Sequence, residues 1–175
     1  SNSGMQIDWD QLYFANSKNT YSVLNANGIT GNTVTGLRSK YIVEEQRMDP
    51  TRVGINSVYS KAITDDSHLT VGASYNRQKT HYFKTVDDLL GGEFWVDIDQ
   101  FADRDFGGDT TIIQNDTDMP NKLVRTDDVF GYDYEMKSTL WNVFGQYEKK
   151  LERVDLYAGA MVGHMSFYRD GNMRN

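Results

Sequence analysis

The sequence predicts a mainly all-β fold, an antiparallel meander of long strands, and three observations carry that prediction. The first is the stretch 51–83, in which Val53, Ile55 and Tyr59 alternate with Arg52, Asn56 and Ser60. Beyond a polar turn at Thr64, Asp65, Asp66 and Ser67, Leu69, Val71, Ala73 and Tyr75 then alternate with Thr70, Gly72, Ser74 and Asn76. A period of two places one set on each face of a sheet, and the short polar link supplies turn chemistry. The second is a repeat of the pattern in 139–169, where Trp141, Val143 and Tyr147 alternate with Asn142 and Gln146, a charged run turns the chain at 148–153, and a strand returns from Leu156. The third is composition. With 38% apolar and 13% aromatic residues, 15 Gly, 11 Tyr and only 2 Pro, the chain has the material for a β-rich core and few breakers.

Taken in order, 1–37 starts with Ile7, Trp9, Leu12 and Tyr13 at helical spacing behind Asp8, an N-cap residue, which predicts a short helix over 8–15. Residues 16–36 are rich in Asn, Gly, Thr and Ser and read as loop, with a brief strand at 21–24. The long hairpin occupies 38–83, its first arm running extended through Pro50, whose missing N–H suits a sheet edge or a bulge. The segment 84–138 is far longer than the usual connection of about 4–6 residues. In it Thr85 as N-cap, Asp87 and Asp88 in the first turn and Gly91 as a stop predict a helix of one or two turns at 86–90. The second hairpin fills 139–169, and 170–175 opens a further loop. Its last strand carries two apolar sets out of phase, Leu156, Ala158, Ala160 and Val162 against Tyr157, Met161, Met165 and Phe167, and either can form the apolar face.

A net charge of −7 without a basic cluster argues against a nucleic-acid partner, and the absence of cysteine removes disulfide and thiolate chemistry. No run approaches the ~20 apolar residues of a membrane-spanning helix. A membrane β-strand needs only about 9–11 residues of alternating pattern, so a mean hydropathy of −0.63 is compatible with a barrel. The two short turns fall at one end of the strands, and the long segments 1–37 and 84–138 at the other. Outer-membrane barrels have this asymmetry, with short periplasmic turns, long extracellular loops and strands apolar on the lipid side. The expected architecture is therefore part of a transmembrane β-barrel, with long extracellular loops carrying short helices. Val53, Ile55, Tyr59, Leu69, Val71, Ala73, Tyr75, Trp141, Val143 and Tyr147 would face the membrane, their aromatics forming the interfacial girdle. A soluble sandwich buries the same residues on an inner face. The chain opens at Ser1 and stops just past a strand, which reads as a segment of a longer protein.

The runs RSKYIVEEQRMDPTRVGINSVYSKA, KTVDDLLGGEFWVDIDQFADRDF and STLWNVFGQYEKK resemble the barrel of TonB-dependent outer-membrane receptors of Gram-negative bacteria, of the type with a carboxypeptidase-regulatory-like N-terminal domain. The likeness extends over most of 5–174 and lies in running text rather than in a short motif. It implies a 22-stranded barrel, an N-terminal plug and energised import of a scarce nutrient through coupling to TonB. It also implies a bacterial outer-membrane location, outer-membrane lipid and a small-molecule or oligosaccharide nutrient as partners, and no enzymatic activity or cofactor. The plug and TonB box are not in this stretch.

The segment 93–105 holds the densest candidate chemistry. Phe94, Trp95 and Phe101 stand among Asp97, Asp99, Asp103 and Arg104, a mixture that offers stacking surface and directional hydrogen bonds to a captured ligand. The same rings would equally pack the loop onto the sheet. Asp97, Asp99, Asp103, Asp105 and Asp109 could supply hard oxygen ligands to Ca²⁺, but the calcium-loop pattern fails, with Phe101 at the fifth position from Asp97 and Gly107 at the fifth from Asp103. A soluble carbohydrate-binding module using Trp95 and Phe101 is the alternative function. An acid–base glycoside hydrolase using Glu93, Asp97, Asp99 and Asp103 is weaker, because carboxylates this frequent pair by chance. His68, His81 and His164 lack metal-ligand spacing, and no nucleophile-elbow, GxGxxG or Walker pattern occurs.

Overall fold

The computed structural model describes residues 6–106 and 111–173. Strand makes up 60% of it and helix 12%, and the sheets are antiparallel, as the alternation predicts. In chain order the elements are α1 (Trp9–Ser17), β1 (Thr20–Val23), a 3-10 turn (Ala26–Gly28), β2 (Val34–Leu37), β3 (Val43–Thr64), β4 (Ser67–Asp88), β5 (Trp95–Val96), α2 (Gln100–Phe106), β6 (Leu123–Val124), β7 (Val129–Lys150) and β8 (Asp155–Gly171). Three sheets result: β1-β2, β5-β6, and a four-stranded sheet in the order β3-β4-β7-β8. Backbone contacts divide the chain into one unit of Ser1–Met48, His81–Tyr134 and Gly171–Asn175, and another of Asp49–Thr80 and Glu135–Asp170.

The second unit is built from the long strands. Two residues, Asp65 and Asp66, turn β3 into β4, with the Thr64 and Ser67 hydroxyls 2.7 Å apart across the turn. Leu151 N donates to Val154 O at 2.9 Å to close the second hairpin, and Lys150 N donates to Asp66 O at 2.8 Å, aligning the two turns. Pro50 sits in β3, an edge strand, where a missing donor costs no ladder bond on the open side.

Cross-strand contacts assign the faces. Ser60 and Thr70 share a hydroxyl hydrogen bond of 2.9 Å, Arg52 donates to Asn76 at 3.2 Å, and Phe144 lies over Gly72, where an added Cβ would meet its ring at 2.3 Å. The even positions of β3, β4 and β7 therefore share one face, and the odd positions, with Val71 beside Gly145, share the other. On β8 the phase changes. A Cβ at Gly163 would lie 3.0 Å from that of Asn142, while the Trp141 and His164 rings are 6.4 Å apart on the opposite face. The set that joins the apolar face is thus Leu156, Ala158, Ala160 and Val162, and the choice the sequence left open is made by pairing with β7.

Exposure is inverted relative to a soluble sheet. Val53, Ile55 and Tyr59 are 66%, 69% and 60% exposed, and Val71, Ala73, Tyr75, Trp141, Val143 and Tyr147 are exposed as well, with Leu69 half-buried. On the polar face Gly72 is buried and Thr70, Ser74, Asn76, Asn142 and Gln146 are half-buried. At the end of this unit away from the turns the apolar stripe gives way to charge: Lys79 pairs with Glu135, and Lys137 bridges Glu135 at 3.0 Å and Asp170 at 2.8 Å.

The first unit corrects two expectations. The segment 86–90 is not a helix: β4 continues to Asp88, because Val86 is fully buried with Leu89, Val124 and Phe130 and exchanges backbone hydrogen bonds with Asp128 O (3.2 Å) and Asp127 N (2.8 Å). The Asp88 carboxylate instead accepts from Leu90 N at 2.8 Å, closing a turn through the left-handed residues Leu90 and Gly91. Likewise β7 begins at Val129, so the stretch between β4 and β7 is 89–128 rather than 84–138. The GYDYEM run, residues 131–136, lies within β7. Its Tyr134 stacks on Tyr82 at 5.2 Å, and Asp133 bonds His81 and, at 2.9 Å, the Asn172 amide. The helix expected over 8–15 is present as α1, with Asp8 accepting from Gln11 N at 3.1 Å, and the brief strand at 21–24 is β1. A second core of Val23, Ala26, Phe94, Val96, Ile98 and Ile113 holds β1, the 3-10 turn and the β5 region together.

Candidate functional site

The site is organised by the four residues that follow β2, Arg38 to Tyr41. Asn19 and Arg38 trade bonds, Arg38 N to Asn19 O at 3.0 Å and Asn19 Nδ2 to Arg38 O at 2.7 Å. Ser39, fully buried, donates its backbone N–H to Phe94 O (2.8 Å) and its hydroxyl to Leu89 O at 2.7 Å. Gly92 must be glycine for this, since a Cβ there would stand 2.0 Å from Ser39 Oγ. Asn16, also fully buried, completes the frame. Its Oδ1 accepts from Lys40 N at 2.8 Å and Tyr41 N at 3.2 Å, and its Nδ2 donates to the carbonyls of Tyr41, Leu89 and Leu90 at 2.8–3.1 Å. Every backbone N–H from 38 to 41 is thereby committed, which holds the segment rigid while Ser39 is buried, Arg38 is half-buried and Lys40 and Tyr41 stay exposed.

Those side chains form the floor of a cavity of about 430 Å³, within the range of ~300–1,000 Å³ common to small-molecule sites. Arg38, Lys40 and Tyr41 line it together with Asn19 and Tyr21 and with Gln100, Asp103 and Arg104 of α2. The Arg38 guanidinium stacks on Tyr21, 4.8 Å from the ring centroid. Arg104 lies 5.6 Å from the Phe101 centroid and forks onto Asp105 at 2.8 and 3.2 Å, a bond that raises its pKa further above neutrality. Outside the cavity, the Tyr13 hydroxyl donates to Asp88 at 3.2 Å, and that hydrogen bond, then the carboxylate's charge, raises the tyrosine's pKa.

Of the seven residues singled out in 93–105, the structure brings Asp103 and Arg104 to this cavity and disperses the others. Phe94 is buried in the core beside Val96 and Ile98. Trp95 packs half-buried against Val86, Leu89, Val124 and Phe130. Asp97 is buried and accepts from Asn115 Nδ2 and Gly131 N, both at 2.9 Å, so its oxygens tie β7 to the loop. Asp99 caps α2, accepting from Phe101 N at 2.9 Å and Ala102 N at 3.1 Å. Phe101 is exposed under Arg104. Asp109 lies outside the described residues, and among these no three His, Asp or Glu side chains are grouped to hold a metal ion.

The sequence matches no protein-family profile and no curated protein.

The residues missed from sequence are Tyr21, Arg38, Lys40 and Tyr41. Arg38, Lys40 and Tyr41 fall within four residues and Tyr21 lies seventeen residues before them, so the only local signal was a pair of cations beside a tyrosine in an acidic chain.

Proposed function

We propose that this chain is a segment of a TonB-dependent outer-membrane receptor that imports a scarce nutrient, with its long surface loops capturing the ligand. One observation carries the reading: on β4 and β7 the apolar face is more exposed than the polar face behind it, in a sheet whose two outer strands, β3 and β8, have no further strand paired to them among the described residues. Water disfavours both features, since exposed apolar area costs about 25 cal/mol per Å² and free edges template aggregation. A lipid-embedded barrel removes both costs, placing the apolar face in hydrocarbon and pairing the edges with further strands. Tyr75 and Trp141 fall equally far from the aligned turns, beyond Val71 and Val143, where an interfacial girdle belongs. The charged group Lys79, Glu135, Lys137 and Asp170 then marks the headgroup level. On this reading the protein is no enzyme, its lipid contacts are those of the bacterial outer membrane, and TonB acts through parts of the receptor outside this stretch.

The direct test is partition of the purified chain between buffer and dodecylmaltoside micelles, read by light scattering and circular dichroism. The proposal expects aggregation in buffer and a soluble β-rich species in micelles. A monodisperse folded chain in buffer would sink it.

A further inference from the structure

Building on the reading of the loops as ligand-capturing, we propose that the cavity between the 38–41 segment and α2 takes a hydroxylated organic anion of the sugar-acid type, with its carboxylate held by Arg38 and Lys40.

The charge argument comes first. Among the described residues, neither Arg38 nor Lys40 has a carboxylate partner, although the chain carries 25 acidic against 18 basic residues. Two unneutralised cations beside one cavity in a chain of net charge −7 are a local reversal of the overall field, and such a reversal concentrates anions. Stacking on Tyr21 occupies the face of the Arg38 guanidinium and leaves its in-plane N–H fork available to a carboxylate. Arg104 adds little to this, because Asp105 already neutralises it.

The remaining groups select what carries the carboxylate. Asp103, half-buried on the cavity wall, would repel a compact dianion but accepts hydrogen bonds from hydroxyls. The Gln100 amide beside it offers both a donor and an acceptor. Tyr41, 50% exposed among the lining residues, offers an aromatic ring to the apolar side of a pyranose. Cation, carboxylate, amide and aromatic ring together fit a ring bearing one acid and several hydroxyls better than they fit inorganic phosphate or a neutral sugar. The floor needs no rearrangement to bind, since the hydrogen bonds of Asn16 and Ser39 already fix its backbone.

The experiment is calorimetric titration of the 175-residue chain in dodecylmaltoside micelles with trigalacturonate, galactotriose and inorganic phosphate at two salt concentrations. Expected are binding of trigalacturonate that weakens with salt, and binding of the other two at least about tenfold weaker. Arg38→Ala and Lys40→Gln should each weaken trigalacturonate about tenfold, and Arg38→Lys less. Because Lys40 is held through its backbone, Lys40→Gln keeps the fold even if Arg38→Ala disturbs Tyr21. Equal binding of galactotriose, equal binding of phosphate, no binding of trigalacturonate, or indifference to Lys40→Gln would each overturn the inference. The receptor reading fails separately, through solubility of the chain without detergent, and that result leaves the titration interpretable.

Discussion

The side-chain amide of Asn16 donates to the carbonyl of Leu89 at 2.9 Å across 73 residues of sequence, and the same side chain accepts from the backbone of Lys40 and Tyr41. One buried amide therefore ties the end of α1, the turn after β4 and the cavity floor. Asn16→Ala strands those backbone groups in a buried site, and should destabilise the loop unit by about 2–4 kcal/mol. Asn16→Asp should do at least as badly, because a carboxylate would face three carbonyls. Amide hydrogen exchange at Lys40 and Tyr41 reads this directly, and full protection in both variants would show the amide to be dispensable.

Charge on the apolar face of the long strands should be far costlier than charge on the polar face. On the proposed barrel reading, Val71→Arg or Val143→Arg, between the turns and the level of Tyr75 and Trp141, should lower stability by about 2–4 kcal/mol, whereas Ser74→Arg and Asn142→Arg should assemble with little loss. The measurement is folding yield into outer-membrane-lipid vesicles, with heat-modifiable gel migration as the readout. Equal yields for the two pairs would remove the assignment of faces.

The proposed receptor topology can be probed with single cysteines, which a sequence lacking native cysteine allows without background. Asp66→Cys lies in the short turn and Thr126→Cys in the stretch 89–128, both exposed. In intact cells a membrane-impermeant maleimide should label position 126 and spare 66 until the outer membrane is permeabilised. The reverse pattern would invert the proposed orientation.

Trp95 and Phe101 should separate cleanly. Trp95→Ala removes a ring packed on the Val86, Leu89, Val124 and Phe130 cluster and should cost about 3 kcal/mol, seen as a lower surface level. Phe101→Ala, at a position 73% exposed, should leave the surface level unchanged. On the proposed receptor role, loss of uptake in Trp95→Ala at an unaltered surface level would mean that the ring meets ligand rather than core.

Much of the fold was legible because it is local. The period of two in Val53, Ile55 and Tyr59 and in Leu69 to Tyr75, the two-residue polar turn between them, and Asp8 ahead of Trp9 each depend on neighbours in sequence, and each element is where those neighbours place it. Three things needed the tertiary structure, for one physical reason: they depend on partners distant in the chain. Thr85, Asp87 and Asp88 carry sound helix-start signals, yet burial of Val86 against Val124 and Phe130 outweighs a weak local propensity and keeps them in β4. The phase of β8 is undecidable from its own two apolar sets and is settled only by the register that Asn142 and Trp141 impose on Gly163 and His164. Asp97 and Asp103 look alike in a run of carboxylates six residues apart. The fold buries one as a clasp for Gly131 and leaves the other half-buried on the wall of the cavity that Arg38 and Lys40 also line, because burial and charge are properties of a place in three dimensions that no single stretch of this sequence contains.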